Sequence, residues 1–373
     1  MDIVTNRAPA REEDRRAWAE AGMEDLGGGL YRIPLPLPGD ALTAVNVYAL
    51  TGDHGVDLID SGMGIAQARD ELSAALSKLG YGLPDIRNFF ITHIHEDHYT
   101  LAIMLRTTLR NQVSLGEGER ANLKAILDAT LGRPASTSFR TMMPALGAET
   151  LAVALTELNA ARRNDPSRPQ LEWAEPDRWL TDGTLLELPG RTLRAIDTPG
   201  HTAGHVVFHD EAGAMLFAGD HVLPHITPSI GFQPADSRLA LEDYLNSLRL
   251  MLTLPDSRLL PAHGPVREST HARVNELLEH HDVRLAQTLE AASPGKVSAF
   301  EVAQALPWTR RQRKLADLDP MNQMLATGET AAHLEVLLLR GQLVRELSPD
   351  GIELYSLAAQ PAAPATEAGA PVG

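Results

Sequence analysis

The segment Ile91-Thr92-His93-Ile94-His95-Glu96-Asp97-His98-Tyr99 places three histidines and one aspartate within six consecutive positions. It follows an apolar run at residues 88–91, which is typical of the end of a buried strand. Side chains at alternating positions of an extended loop point in the same direction, so His93 and His95 can bind one metal ion. Asp97 and His98 can then face a neighbouring ion. Four ligands in one loop predict further ligands from elsewhere in the chain.

Composition limits the class of protein. The chain has 373 residues, 43% of them hydrophobic and 22% charged, which predicts a globular protein with one large and one smaller domain. Without cysteines, a metal site must use nitrogen and oxygen ligands. The formal net charge of −16 argues against a general nucleic-acid binder, because binding to phosphate depends on Lys and Arg. No apolar segment is long enough for a membrane helix and residues 1–24 lack a signal-peptide core, so we expect a cytoplasmic protein.

The order of apolar runs predicts a mixed α/β domain followed by a smaller, mainly helical one. We expect a lead-in with little structure at residues 1–29 and a first domain at residues 30–266, with a helical insertion at about residues 101–176. Helices and a hairpin over residues 267–357 predict a winged-helix-like domain, and the Ala/Pro-rich residues 358–373 predict a disordered tail.

Three further candidate ligands each lie just after a predicted strand. His201 lies in Pro-Gly-His-Thr-Ala-Gly, Asp220 lies in Ala-Gly-Asp-His, and His263 lies in Pro-Ala-His-Gly. Ligand-bearing loops that follow strand ends lie on one rim of an α/β scaffold, which can hold such a site rigidly. We therefore expect these side chains to meet those of residues 93–98.

The ordered set of motifs resembles the five motifs of the metallo-β-lactamase superfamily, and the resemblance spans about residues 30–266. It implies a four-layer αββα metallo-β-lactamase sandwich. It also implies that Asp60 supports the histidine loop and that Asp220 bridges two zinc ions. The implied ligands of the first zinc are His93, His95 and His201, and those of the second are Asp97, His98 and His263.

The chemistry of these ligands predicts a hydrolase. Imidazoles and carboxylates suit Zn²⁺, although without sulfur ligands Fe or Mn would also fit. Two close divalent ions lower the pKa of a shared water, and the resulting metal-bound hydroxide can attack a carbonyl carbon. As catalytic residues we predict Asp97, Tyr99, which could stabilise an oxyanion or pack in the core, and His221, which could contact the substrate. His205, His209 and His225 are expected to be ordinary histidines, and His280-His281 a solvated helix face.

Within the superfamily, the full ligand set resembles that of glyoxalase II-like thioesterases and of endoribonuclease-like proteins. The C-terminal winged-helix-like module is similar to that of the endoribonuclease-like group. The first hypothesis is hydrolysis of a thioester or ester of the acyl-CoA or acyl-glutathione type. The alternatives are a metallo-endoribonuclease acting on single-stranded RNA, or a lactonase, although the Tyr that lactonases place shortly after the bridging Asp is absent here. We expect a small-molecule substrate before RNA, no membrane partner, and a homodimer as an open option.

Two segments bear on the substrate. The basic run Trp308-Thr309-Arg310-Arg311-Gln312-Arg313-Lys314 could contact phosphate of RNA or of coenzyme A, or could be a solvated helix face. In the helical insertion, Phe139, Met142 and Met143 could form an apolar lid over an acyl group or pack in the core.

Overall fold

The computed structural model describes residues 17–20, 22–38, 42–133, 139–163, 165, 168–230, 233, 238–309 and 311–359. Two sheets dominate this part of the chain. The seven-stranded sheet has the strands in chain order: β1 Glu24–Gly27, β2 Leu30–Pro36, β3 Ala44–Gly52, β4 Gly55–Ile59, β5 Ile86–Phe90, β6 Gln112–Gly116 and β7 Arg178–Leu180. The five-stranded sheet has the order β12-β11-β10-β9-β8, formed by β8 Leu185–Leu188, β9 Arg191–Asp197, β10 Val206–Asp210, β11 Met215–Gly219 and β12 Arg258–Pro261.

Helices pack on the outer faces of these sheets and form most of the C-terminal region. They are α1 Ala66–Lys78, α2 Glu96–Arg106, α3 Arg120–Thr130, α4 Phe139–Ala145, α5 Glu149–Arg163, α6 Ala240–Met251, α7 Thr270–Ala291, α8 Ala299–Ala305 and α9 Pro320–Leu339. Between the two sheets, apolar side chains interdigitate, and the rings of Tyr48 and Phe217 meet edge to face at 5.3 Å. Leu72 of α1 packs on the outer face of one sheet and Tyr244 of α6 on that of the other. The predicted four-layer αββα sandwich is therefore confirmed.

The structure corrects two local predictions in the first domain. Glu24–Gly27, in the predicted lead-in, is strand β1 and pairs with β2. The insertion predicted as helical contains β6, which pairs in parallel with β5 and buries Val113 and Leu115. A strand of only five residues between two helices is too short for its period to stand out in the sequence.

The insertion helices contribute to a core rather than to a lid. Met143 is fully buried, and Met142 packs against the same apolar cluster, which includes residues of the C-terminal helices. The backbone N–H of Phe300 donates to the carbonyl oxygen of Leu146 at 3.0 Å and so fastens the insertion to α8. The side chain of Phe139 lies outside the described part of the structure.

The C-terminal region contains the predicted helices and hairpin. Strands β13 Val297–Ser298, β14 Leu343–Leu347 and β15 Glu353–Leu357 form a small sheet in the order β13-β15-β14 beside α8 and α9. The winged-helix interpretation of this arrangement stays a prediction. The predicted tail lies outside the described residues from residue 360 onward.

One prediction for the C-terminal region was wrong. His281 is buried rather than solvated, because it faces His333 of α9. Of the two alternatives for the basic run, the helix face is excluded, since residues 308, 309 and 311–314 contain no helix. Trp308 and Arg313 instead exchange backbone hydrogen bonds of 2.8 and 2.7 Å across a tight turn.

The longest described helices, α7 with 22 residues and α9 with 20, both carry charged side chains. Among the described residues, no helix combines the length and the apolar character needed to cross a membrane.

Candidate metal centre

Five strand ends converge on one rim of the sandwich. Strand β4 ends just before Asp60, β5 ends just before the histidine loop at residues 91–98, and β11 ends at Gly219, directly before Asp220. Strands β9 and β12 lead to His201 and His263 in the same way. Parallel pairing of β4 with β5 and of β11 with β12 brings these carboxyl ends side by side. The residues predicted to bind metal therefore do meet in space.

The first ligand group consists of His93, His95, His201 and Asp220. Nε2 of His93 lies 2.9 Å from Nδ1 of His95, and Nε2 of His201 lies 3.1 Å from the same atom. Oδ2 of Asp220 lies 3.5 Å from Nε2 of His201. Tetrahedral zinc with bonds of about 2.0–2.1 Å separates its ligand atoms by about 3.3 Å. The spacing of this group fits one such ion.

The second group consists of Asp97, His98 and His263. Oδ2 of Asp97 lies 3.5 Å from Nε2 of His98 and 3.3 Å from Nε2 of His263. The second oxygen of Asp220, Oδ1, lies 3.7 and 3.4 Å from these two nitrogens. Asp220 thus presents one oxygen to each group, which is the arrangement expected of a bridging carboxylate.

Three atoms that face the second group are buried without a hydrogen-bond partner among the described residues: Nε2 of His98, Nε2 of His263 and Oδ1 of Asp220. Buried polar atoms without a partner are costly, so native structures almost always satisfy them. A divalent cation would satisfy all three at once. The His and Asp groups at this rim can therefore bind metal ions.

The opposite ring nitrogen of several histidines is fixed by an oxygen. Nδ1 of His201 donates to the carbonyl oxygen of Ser229, and Nδ1 of His263 donates to that of Ala44, both at 2.8 Å. Nδ1 of His98 lies 2.9 Å from Oδ2 of Asp60. Such outer contacts select the tautomer that leaves Nε2 free for a metal.

Asp60 joins the histidine loop to the rim. Its backbone has a φ of 59°, unusual for a residue with a side chain, and its carboxylate accepts hydrogen bonds from the N–H (2.8 Å) and Oγ1 (3.0 Å) of Thr92. The same carboxylate meets His98. Backbone strain of this kind is stored where the surroundings enforce it, commonly at functional sites. The position of Asp60 agrees with the supporting role that the resemblance implies.

The two groups differ in their electrostatics. Burial, with help from the neighbouring imidazoles, holds the pKa of His93 well below its usual value, and burial lowers the pKa of His95 to about 3. Burial alone would also lower the pKa of His98 and His263, but the nearby aspartates outweigh it and raise both. The first group therefore presents neutral imidazoles, the form that a metal ion requires.

Two supporting residues were missed by the sequence analysis. Glu119 is fully buried and accepts hydrogen bonds from Oγ1 of Thr202, from Nδ2 of Asn122 at 2.7 Å and from the N–H of Ile94 at 3.4 Å. It thus ties the loop of His95 to the loop of His201. Burial raises the pKa of its carboxyl. No motif surrounds Glu119 in the sequence, so only the fold could identify it.

His205, expected to be an ordinary histidine, is the second support. Its Nδ1 lies 2.9 Å from Oγ1 of Thr198, and its Nε2 accepts the N–H of Asp220 at 3.1 Å. A side chain on Gly219 would place its Cβ only 2.7 Å from both Nε2 of His205 and Thr92, and the backbone φ there is +50°. Glycine at this position therefore lets Asp220 approach the histidine loop.

The structure does not support catalytic roles for Tyr99 and His221. Tyr99 is buried, donates its hydroxyl to the carbonyl oxygen of Ala174 at 2.7 Å and stacks on Trp173. His221 has no exposed surface and lies between the rings of His205 and Tyr244, at 6.1 and 5.3 Å. Both residues pack behind the site. Asp97, by contrast, is partly exposed, as is His95, at the opening of the metal centre.

Comparison with known proteins identifies two regions of the chain. The model of the family described as "Metallo-beta-lactamase superfamily" matches residues 40–263. A second model, described as "Metallo-beta-lactamase-like, C-terminal domain", matches residues 285–358.

Several relatives carry lactamase-like names. The lactamase-like protein vrtG of Penicillium aethiopicum is 35% identical over 136 residues, which cover 35% of this chain and 42% of that protein. The beta-lactamase-like protein 2 homolog of Caenorhabditis elegans is 27% identical over 185 residues, which cover 50% of this chain and 54% of that protein. The chain thus spans about half the length of these relatives.

Two crystal structures match most of the chain. A metallo-beta-lactamase family protein from Thermus thermophilus superposes with a TM-score of 0.72 at 29% identity, covering 89% of this chain and 100% of that one. A beta-lactamase domain protein from Burkholderia ambifaria gives a TM-score of 0.68 at 25% identity, covering 90% and 95%. Both matches are long enough to include the C-terminal region.

Proposed function

We propose that this chain, which belongs to the metallo-β-lactamase superfamily, is a metal-dependent hydrolase that uses two zinc ions to cleave a thioester or ester. The observation that carries the proposal is the position of Asp220, whose two oxygens face two separate ligand groups. An ion in the first group alone would leave Nε2 of His98, Nε2 of His263 and Oδ1 of Asp220 buried without a partner.

Two divalent cations in these groups would supply a water of lowered pKa and an electrophile for the carbonyl oxygen. The residues of the chain would provide the geometry. Asp220 holds the two groups together, and His205 fixes the backbone of Asp220. Glu119 and Asp60 hold the loops on either side. Such supporting residues would hold a reacting water and a carbonyl carbon at the distance and orientation that attack requires.

The exposure of the ligands defines the side from which substrate approaches. His95 and Asp97 are partly exposed, whereas His93, His98, His201 and His263 are buried. A substrate carbonyl would therefore reach the metals past His95 and Asp97. Asp97 would act at this mouth as a ligand, and its carboxylate would stay ionised. Burial opposes ionisation, but His98 and His263 outweigh it and hold the pKa of Asp97 well below its usual value.

A thioester or ester is favoured over RNA by charge. The formal net charge of −16 would repel a polyanion. A metallo-endoribonuclease remains the second candidate because Arg311, Arg313 and Lys314 are exposed on one turn of the C-terminal region. That turn is small compared with the track that an extended RNA strand would need.

The proposal is tested by metal analysis combined with a substrate panel. Protein purified without chelators is expected to hold about two zinc ions per chain and to hydrolyse acyl-CoA, acyl-glutathione or simple esters. Asp97→Ala should retain the fold but lose most of the hydrolysis. Fewer than one transition metal per chain, full activity in Asp97→Ala, or turnover of single-stranded RNA alone would each refute the proposal.

A further inference from the structure

A cleft of about 880 Å³ opens beside the metal centre and runs toward the C-terminal region. His263 lies at one end and Trp308 at the other. One face of α7 forms a wall, since Arg273, His280 and Arg284 follow one another at intervals of seven and four residues. The cleft therefore borders the candidate metal centre at His263, the predicted ligand that lines it, and extends to Trp308 and Gln312.

The two arginines on this wall use their donors differently. Arg273 donates to the carbonyl oxygens of Leu223 and Ile226 at 2.6 and 2.9 Å, and it pairs with Glu276 at 2.7 Å. It fastens α7 to the segment that follows Asp220. Because these contacts engage all of its nitrogens, Arg273 has a structural role at the metal end of the cleft.

Arg284 is only 7% exposed, and its guanidinium carbon lies 4.1 Å above the ring of Trp308. Its Nη1 donates to the carbonyl oxygen of Pro307 at 3.1 Å and to Oε1 of Gln287 at 3.4 Å. Within the described part of the chain, its Nε and Nη2 donate to no acceptor, and no carboxylate forms an ion pair with it. Glu329 also lines the cleft and offsets part of the charge from a greater distance. Arg284 is thus a buried cation with donors left over.

A guanidinium that stacks on an aromatic ring keeps its N–H edge available in the plane, which suits two-point binding of a carboxylate or a phosphate. We infer that Arg284 binds an oxyanion, a carboxylate or phosphate group, on the part of the substrate remote from the bond that is cleaved. The inference rests on the proposed function and narrows its substrate class to thioesters or esters with an anionic far end.

The length of the cleft sets the shape of that substrate. Arg284 follows Arg273 by eleven residues, which corresponds to about 16 Å along a helix. A substrate that reaches from His263 to Arg284 would therefore need an extended chain between its scissile carbonyl and its oxyanion. At the far rim, Thr309 and Gln312 both have positive φ, 61° and 54°, in the tight turn. Strained residues beside a cleft agree with a binding role for this turn.

The test compares thioesters that share one acyl group and differ in the far end of the thiol. Acyl-CoA ends in phosphates, acyl-glutathione ends in carboxylates and acyl-pantetheine is uncharged. In the zinc-loaded full chain, Arg284→Gln should raise KM roughly 10- to 100-fold for the thioester whose oxyanion it binds, with kcat little changed. KM for acyl-pantetheine should not change. Whether acyl-CoA or acyl-glutathione is affected distinguishes phosphate from carboxylate.

Three controls separate binding from damage to the fold. Arg284→Lys keeps the charge but loses the planar fork, so its KM should lie between those of wild type and Arg284→Gln. Arg69→Gln removes an equal charge from the exposed face of α1 and should change none of the three KM values. Melting curves of all variants check folding.

Calorimetric titration with coenzyme A and with glutathione tests the same site without turnover. The inference predicts that wild type binds one of them and that Arg284→Gln binds it at least tenfold more weakly. An equal KM rise on all three thioesters, or no change on the charged ones, would overturn it. If wild type turns over none of the three, thioester hydrolysis itself is wrong, and the titration alone decides the anion site.

Discussion

Two groups of closely spaced histidines in this molecule differ in the polar groups that surround them. In the metal centre, ring nitrogens approach to 2.9 Å beside two aspartates, and the opposite nitrogens are held by oxygens. Between α7 and α9, Nδ1 of His281 lies 3.3 Å from Nε2 of His333, and Nδ1 of His333 donates to the carbonyl oxygen of Glu329 at 2.7 Å. Among the described residues, no carboxylate completes the second group, hereafter the α7–α9 histidine pair.

This difference distinguishes histidines that can bind a metal ion from histidines that only pack in a core. In the α7–α9 histidine pair, one N–H···N hydrogen bond joins two neutral imidazoles, and only Nε2 of His281 is left buried without a partner among the described residues, so that pair serves packing. In the metal centre, Nε2 of His93 and Nε2 of His201 both approach Nδ1 of His95, and a carboxylate oxygen of Asp220 lies beside them. A divalent cation among these atoms would satisfy them together. Substitutions in the metal centre should therefore lower activity, and substitutions in the α7–α9 histidine pair should lower stability.

The largest effect is expected for Asp220→Asn. Weakening the bridge between the two ligand groups should lower kcat/KM by roughly 10³-fold or more, because several kcal/mol of transition-state stabilisation depend on the metals. Metal content, measured by plasma mass spectrometry, should fall in parallel. His333→Leu is the matched control in the other group and should retain the metal content of the wild type. Metal loss in His333→Leu as well would erase the distinction between the two groups.

Asp60→Asn should have the next largest effect. The change removes the charge that orients His98 and the loop of Thr92 without removing any ligand. Zinc affinity is expected to fall about 10- to 100-fold, as for other outer-layer partners of ligating histidines. Competition with a chromophoric chelator measures this. An unchanged affinity would show that Asp60 supports only the fold.

In the α7–α9 histidine pair, His333→Leu should affect stability. Leucine fills much of the space of the ring but leaves Nδ1 of buried His281 without its partner, which costs about 2 kcal/mol. Denaturant unfolding of chelator-treated protein at about pH 7.5, where free histidines are neutral, measures the loss. A variant as stable as the wild type would mean that the pair contributes nothing to packing.

The smallest effect concerns pH. Burial lowers the pKa of His333 to about 3, whereas an unfolded histidine titrates near 6.5. Between these values only the unfolded chain binds the proton, so this residue lowers the free energy of unfolding as the pH falls below about 6.5. At about pH 5.5 the loss is about 1.4 kcal/mol, and His333→Leu should lack it. Equal pH dependence in wild type and variant, measured without metal, would contradict the buried neutral state of His333.

The sequence was informative where chemistry is concentrated in short motifs. Residues 93–98, His201, Asp220 and His263 each follow a strand, so their meeting at one rim could be predicted from the sequence, and the resemblance of their motifs to the family implied the αββα fold. Glu119 could not be found, because its importance arises from contacts with Thr202 and Ile94 that only the fold creates. His281 could not be recognised as buried for the same reason, since its partner is 52 positions away, whereas His280 is exposed as predicted.

In the insertion, helical periodicity predicted only part of the secondary structure. It identified α3 and α5 but concealed β6, whose five residues gain their strand conformation from parallel pairing with β5. Tertiary pairing outweighs local preference in so short a segment. Tyr99 illustrates the limit for catalysis, because a tyrosine beside a ligand loop can point equally to substrate or to core.

We expect two metal ions to occupy the two ligand groups and to share Asp220. A crystal of the zinc-loaded protein, measured on both sides of the zinc absorption edge, tests this most directly. Two anomalous peaks should lie about 3.5–4 Å apart, one among His93, His95 and His201 and one among Asp97, His98 and His263, with Asp220 between them. A single peak in fully loaded protein, or peaks that Asp220 does not join, would contradict it.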